Sequence, residues 1–420
     1  MDWLLSPRWQ VRDDSQACLI GPNNERIDLD PNQYEAVGSG RLQLAPLISS
    51  DNFPEIMTWV KGLIASRVMV PEYLGKGQSP NTEAEDFFLE IFEAVCGHLS
   101  CSDIWPQVRN GILSWSGPVL RQPLDAPEDY FPSRPSLCLD LLGNSRRGVR
   151  LALDCRDPLC TPWENIRFVR QTFGKHLKCR TDLFDRINEL VFDNPSRFRN
   201  PRVKYLHPAI DYLPGGEEIS AYWNLGNTET KEELWDRSAE VLEAVGGECG
   251  RLSNFRDAFG SFSQPELIGH TFDICKPPIL KTYVMFDGLN TETLREILDV
   301  EDVLAQGTPV IEALLWLERN RPHPGRNLGI ASLYHPLEPG AKSGIKVHLN
   351  LRDGFERKFK IEEIMGTMDE ILHPAGSVVP VLPGTLELRE GRAVEVLPYT
   401  LSLMFVPGDG LTKVTLYVNF

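Results

Sequence analysis

No apolar run in the 420 residues approaches the roughly 20 that cross a bilayer, and Met1-Asp2-Trp3 lacks the basic start of a secretory signal, so a soluble, cytoplasmic chain is expected. Basic charge is scarce: 43 Lys and Arg stand against 59 Asp and Glu, a formal net charge of -16. Phosphate backbones need clustered Lys and Arg, which argues against nucleic acid as a partner and means that any anion must be bound locally. The 9 cysteines are scattered, none in a C-x-x-C pair with zinc-finger spacing, and they are expected to be reduced thiols, with Cys96/Cys101 and Cys155/Cys160 the close pairs. Phosphate-loop motifs are absent, so Gly215-Gly216 reads as a hairpin turn and Gly246-Gly247 as a helix C-terminus. His323-Pro324 and His335-Pro336 have no helical ligand partner, and no metal is assigned.

What is present is a repeat. A strand-hairpin-strand-helix unit recurs five times after about residue 136, in the paired segments Ser136 to Asp154, His207 to Leu225, Glu266 to Phe286, Leu328 to Leu351 and Gly384 to Phe420. Each second strand carries same-face residues at spacing two: Arg150/Ala152, Ser220/Tyr222, Lys281/Tyr283, Lys346/His348 and Tyr417/Asn419. A slip of one residue in the second hairpin would turn Trp223 inward in place of Tyr222. Five such hairpins close into a ten-stranded antiparallel barrel, wider than the roughly eight strands whose interior side chains fill completely. Polar residues facing inward make its lumen a chamber. Helical patterns at Thr161 to Phe173, Thr230 to Val245, Thr291 to Leu304 and Ile361 to Leu372 are expected to wrap the outside, giving an α+β fold of repeated α-β-β-α units.

The hairpin residues resemble the aromatic prenyltransferases of the ABBA barrel, specifically the dimethylallyltryptophan synthase family, over roughly residues 90 to 420. Leu139-Asp140-Leu141-Leu142-Gly143-Asn144 and Val149-Arg150-Leu151-Ala152-Leu153-Asp154 fit that family's P-x-E-x-S-x-N and V-R-x-x-x-E-P patterns, with Asp in both acidic positions. Phe272-Asp273 followed by Ile279-Leu280-Lys281-Thr282-Tyr283 is similar to F-D and S-R-x-K-x-Y, with Ile279 in place of the arginine. Ser220-Ala221-Tyr222 keeps only the tyrosine of K-x-Y, Lys346-Val347-His348 stands where Q-x-Y is usual, and Val414-Thr415-Leu416-Tyr417 matches the terminal T-x-Y strand.

The resemblance implies transfer of a prenyl group from an allylic diphosphate, dimethylallyl diphosphate above all, to an indole or phenol. Ionisation leaves a carbocation and a diphosphate, so the enzyme needs a cationic clamp and water-excluding aromatic faces. Arg150, Lys281 and Lys346 are the expected clamp, Tyr222, Tyr283 and Tyr417 the expected shield, and His348 stands where a shielding tyrosine is usual. Asp140 is expected to take the acceptor's N-H or O-H as catalytic base. No N-D-x-x-D or D-D-x-x-D cluster is present, and a cofactor-free, metal-independent reaction is expected. A barrel that binds an anionic or aromatic ligand without turnover is the alternative.

Residues 1-75 form a separate N-terminal extension, ahead of a barrel assigned to 76-420 and a linker at Gly75 to Asn81. Strands are expected at Trp9 to Arg12, Ala17 to Ile20 and Arg26 to Leu29, and helices at Pro31 to Val37 and Asn52 to Ser66. This order resembles winged-helix peptide-recognition domains of the PqqD kind, which would make the acceptor a Trp or Tyr side chain in a peptide and the extension a recruiting scaffold. The plainer reading is an appendage packed on the barrel.

Overall fold

The computed structural model describes residues 8–11, 17–20, 26–28, 82–120, 136–141, 149–152, 169–170, 181–192, 206–213, 216–226, 230–272, 277–320, 329–351, 359–372 and 382–420. Near the N-terminus, β1 (Arg8–Val11), β2 (Ala17–Ile20) and β3 (Arg26–Asp28) pair in sequence as a three-stranded antiparallel sheet, where three strands were expected. The helices expected at Pro31 to Val37 and Asn52 to Ser66, the Gly75 to Asn81 linker, Asp154 and most of the Thr161 to Phe173 segment lie outside the described residues.

Ten strands form one closed antiparallel barrel: β4 (Ser136–Asp140), β5 (Val149–Ala152), β6 (Leu206–Leu213), β7 (Gly216–Asn224), β8 (Ser263–Phe272), β9 (Ile279–Phe286), β10 (Gly329–Pro336), β11 (Gly344–Asn350), β14 (Leu397–Val406) and β15 (Gly410–Asn419). Every neighbour in the barrel is a neighbour in chain order except at the seam, where β15 closes onto β4 with Thr415 opposite Asp140 and Tyr417 opposite Cys138. All five hairpin turns therefore lie at one mouth. In the second hairpin Gly216 supplies a φ of 141° at the turn.

The fifth paired segment departs from the sequence expectation. Its start does not enter the barrel: β12 (Thr385–Glu387) and β13 (Ala393–Glu395) form a separate ribbon, and the barrel hairpin begins at Leu397. Three-residue strands are too short to span the barrel wall. Arg389 and Arg392 at the ribbon's turn bond Glu90 and Glu93 of helix α1 (Thr82–His98), and the Arg392 guanidinium lies 5.6 Å from the Phe87 ring centre.

The remaining helices are α2 (Trp105–Leu120), α3 (Thr181–Val191), α4 (Lys231–Ala244), α5 (Gly250–Phe259), α6 (Thr291–Val300), α7 (Thr308–Asn320) and α8 (Ile361–Leu372). Helix α4 starts at a capping box, the Thr230 side chain accepting from the Glu233 N–H while Glu233 accepts from the Thr230 N–H at 2.7 Å. Helix α6 is shorter than the expected Thr291 to Leu304 pattern, because Asp302 adopts a φ of 56° and turns the chain out of the helix. Gly246, with a φ of 91°, ends the α4 segment in the left-handed conformation as its sequence implied.

The hydrophobic core lies between the barrel's outer face and these helices. Leu139, Leu151, Ile210, Ile219, Ile268, Val284, Leu333, Val347, Leu403 and Leu416 alternate with the inward residues and are all buried. Trp223 belongs to this outer set: its ring packs 5.4 Å from Phe184, and its Nε1 donates to Asn188 Oδ1 at 2.6 Å on α3. That contact fixes the register of β7 and turns Tyr222 inward.

Trp223→Ala should lower the free energy of unfolding by about 3 to 5 kcal/mol, whereas Tyr222→Phe, which removes only a lumen hydroxyl, should change it by about 1 kcal/mol or less; denaturant melts of both variants check the register.

Two outer-face histidines sensitise the fold to acid. Burial pushes His270 down from 6.5 to about 4 and His335 to about 3, with Arg251 adding to the shift at His335. The unfolded chain binds protons at these sites first, so stability falls as pH drops from about 6.5 towards 4. Glu266 and Glu301, raised by burial, act in the opposite sense and offset part of this. The thermal midpoint should fall over that range, and His335→Gln should flatten the slope.

Candidate active site

The inward face is polar, and much of it is buried. Ser220, Lys281, Ser332, Lys346, His348, Ser402 and Thr415 are all buried, and each alternates with an apolar residue that faces the helices. Such a set is stable only if its members satisfy one another.

Strand β9 supplies Lys281 and Tyr283. The Lys281 ammonium donates to Thr271 Oγ1 at 2.9 Å, and that hydroxyl lies 2.8 Å from Ser220 Oγ, so the serine standing where the family pattern has lysine joins the chain of bonds that holds the remaining one. The same ammonium sits 5.4 Å from the Tyr334 ring centre. Strand β11 supplies Lys346, which donates to Tyr417 Oη at 3.1 Å and Thr415 Oγ1 at 3.3 Å across the lumen. Strand β5 supplies Arg150, which pairs with Asp211 at 3.4 Å and donates to Tyr222 Oη at 3.3 Å.

Between the cations runs a belt of rings. Tyr222 and Tyr283 meet edge to face at 5.7 Å, Tyr283 lies 5.7 Å from His348, His348 6.3 Å from Tyr417, and Tyr417 6.0 Å from Tyr399. Gly269 makes room for the first pair: a Cβ there would fall 2.8 Å from Tyr222 and 3.1 Å from Tyr283. The His348 ring is held at both ends, Nε2 by Ser332 Oγ at 2.7 Å and Nδ1 by Ser402 Oγ at 2.9 Å. One ring nitrogen donates and the other accepts, which suits neutral imidazole.

Electrostatics follow from this crowding. Burial, then Lys346 and Lys281, holds His348 well below the usual histidine range. Burial, then Lys413 and Arg150, pushes Lys346 well below the usual lysine range. Asp211 keeps Arg150 firmly charged, and burial raises the phenols of Tyr283, Tyr334 and Tyr417, which stay protonated.

Towards the mouth formed by the hairpin turns, Asp140 faces Lys413 at 3.1 Å, both side chains about one third exposed (30% and 34%). Leu139 and Leu141 beside it face the helices and are buried, so Asp140 points inward.

All eight residues singled out from the sequence, Asp140, Arg150, Tyr222, Lys281, Tyr283, Lys346, His348 and Tyr417, thus line one chamber. Sequence reasoning missed Asp211, Lys413, Tyr334, Gly269, Thr271 and the two serines flanking His348. Their signal was the same alternation, carried by the first strand of a hairpin or by the final strand nearer its turn. Among the described residues no group of three or more His, Cys, Asp or Glu side chains is placed to hold a metal ion, and no helix is long and apolar enough to cross a membrane.

No protein-family model and no curated protein matches the chain. Solved structures do. 5-Dimethylallyltryptophan synthase from Streptomyces coelicolor superposes with a TM-score of 0.60 at 18% identity, over 80% of this chain and 97% of its own. The fold is the ABBA prenyltransferase barrel. 6-Dimethylallyltryptophan synthase from Micromonospora olivasterospora, in complex with DMASPP and Trp, matches with a TM-score of 0.58 at 14% identity, over 82% of this chain and 98% of its own. AnaPT from Neosartorya fischeri matches with a TM-score of 0.59 at 14% identity, over 81% of this chain and 94% of its own. The ABBA barrel expected from the hairpin motifs is the barrel found.

Proposed function

We propose that this chain is an aromatic prenyltransferase, moving a prenyl group from an allylic diphosphate, dimethylallyl diphosphate in the first instance, to an indole or phenol. The observation that carries the reading is the interleaving of Arg150, Lys281 and Lys346 with Tyr222, Tyr283, His348 and Tyr417 on the inward face of one barrel. Cations alone would make an anion site, and rings alone an apolar pocket. Together they suit a substrate that is anionic at one end and becomes a carbocation at the other. Structures of the same barrel with L-tryptophan and dimethylallyl thiolodiphosphate support the assignment of substrate class.

In this reading the allylic C-O bond breaks heterolytically and its electron pair leaves with the diphosphate, whose growing charge falls on the three cations. Arg150 is held ready by Asp211, and Lys281 by the Thr271-Ser220 chain. The ring belt faces the carbocation and keeps water from it. An acceptor ring carbon then attacks, and the proton it loses passes to a base. Asp140 is that base in our reading, and also the acceptor of the ring N-H or O-H. Its ion pair with Lys413 must open or be shared when the acceptor arrives. The three-stranded sheet at residues 8–28 leaves a Trp or Tyr side chain of a peptide among the acceptors to be tried.

Mixing the full chain with dimethylallyl diphosphate and indole, phenol or Trp-containing peptide acceptors, with and without EDTA, tests the function. Product mass and diphosphate release decide it, and the EDTA arm should retain activity. Donor binding without any prenylated product would leave a binding barrel.

Lys281→Ala and Arg150→Ala should each weaken donor binding by about 10-fold or more, as expected when one charge-assisted contact of roughly 1.5 to 3 kcal/mol is removed. Wild-type donor affinity in both would remove the clamp.

Asp140→Asn should leave donor affinity nearly intact and lower prenylation by a factor of about 10² to 10⁴, measured as single-turnover rates. An Asn variant as fast as the wild type would eliminate Asp140 as the base.

A further inference from the structure

Among the described residues no carboxylate pairs with Lys346. From β5, Arg150 is matched by Asp211; from β15, Lys413 is matched by Asp140 of β4. Lys346 is 6% exposed, and its bonds among the described residues go to two hydroxyls, Thr415 Oγ1 and Tyr417 Oη. The other groups around it are Lys281 from β9, Cys138 from β4 and His348 on its own strand. Buried phenols such as Tyr417 stay protonated and bring no anion, and the Cys138 thiol, raised to about 11 by burial, brings none either. A buried ammonium bonded to hydroxyls and surrounded by other cations is costly in the absence of an anion.

The diphosphate of the donor is the missing anion. We propose that the donor binds together with a proton taken up by Lys346, so that this lysine enters the clamp as ammonium only when the diphosphate is in place. The inference rests on the donor assignment above. Resting Lys346 is then a neutral amine, consistent with the depression of its pKa by burial and by Lys413 and Arg150. A trivalent anion beside it reverses the balance, and the amine draws a proton from solvent or buffer. No bond to carbon changes in this step: one solvent proton is bound, and one ammonium is formed. An empty lumen with Lys346 neutral attracts stray anions less than one that carries a third cation.

The test is titration calorimetry of the full chain with dimethylallyl thiolodiphosphate at about pH 8, above the last phosphate ionisation near 6, in two phosphate-free buffers of different ionisation enthalpy. The wild type should take up protons on binding, approaching one per donor as pH rises above the resting value of Lys346, and over that range donor affinity should fall about tenfold per pH unit. Lys346→Arg, charged at every pH used, should bind without proton uptake and without that slope. Lys346→Met, of similar length and with nothing to titrate, should bind about 10-fold or more weakly, again without uptake. Wild-type binding with no proton exchange, or uptake unchanged in either variant, overturns the proposal. Absence of any wild-type binding sinks the donor assignment itself, a different result from binding without a proton.

Discussion

Closure of the sheet is the constraint from which the rest follows. A ten-stranded antiparallel sheet that returns on itself has no free edge, and its alternating side chains are divided permanently into an inside and an outside. The outside is apolar and is covered by helices; that is where the protein's packing energy resides. The inside is thereby released from holding the fold together. Lysines, an arginine and hydroxyls can collect there because the hydrophobic work is done a few ångströms away, on the opposite side of the same backbone.

That division also explains which parts were legible in the sequence. Lys281/Tyr283 and Lys346/His348 are i, i+2 pairs on one strand, and a period of two is visible without a structure. The barrel followed from counting hairpins. What could not be read were relations between strands: that Asp211 lies across from Arg150, that Lys413 reaches Asp140, and that Ser332 and Ser402 approach His348 from either side. Those depend on register, which is set by outward residues such as Trp223 and not by the lumen residues themselves. The false start of the fifth segment has the same root. Thr385–Glu387 and Ala393–Glu395 alternate well enough to be strands, and they are strands, but their partners are each other.

Where the lumen differs from the motifs that its hairpins resemble, the differences fit together. Where lysine is expected Ser220 stands, and the hydroxyl extends a chain that holds Lys281. Where a ring is expected at the fourth hairpin His348 stands, kept neutral by burial and by Lys346 and Lys281, so that it still presents a π face between Tyr283 and Tyr417. Lys346 adds a cation one step along the strand. Cation and ring alternate around the lumen, with lysines on β9 and β11 and none on β7.

The seam between β4 and β15 has a bearing on how such a chain is made. The strand that begins the barrel must wait for the one that ends it, with Cys138 meeting Tyr417 across almost the whole length of the domain. During synthesis at roughly 5 to 20 residues per second, β4 emerges well before its partner, with an unpaired edge that invites association with other nascent chains. Helix α1, itself made early, is gripped by the Arg389–Arg392 turn that arrives shortly before the closing strand. The ribbon thus ties the segment just ahead of the final hairpin to the helix that precedes the first strand of the barrel, so that the two ends of the barrel's chain are joined at the seam and again beside it.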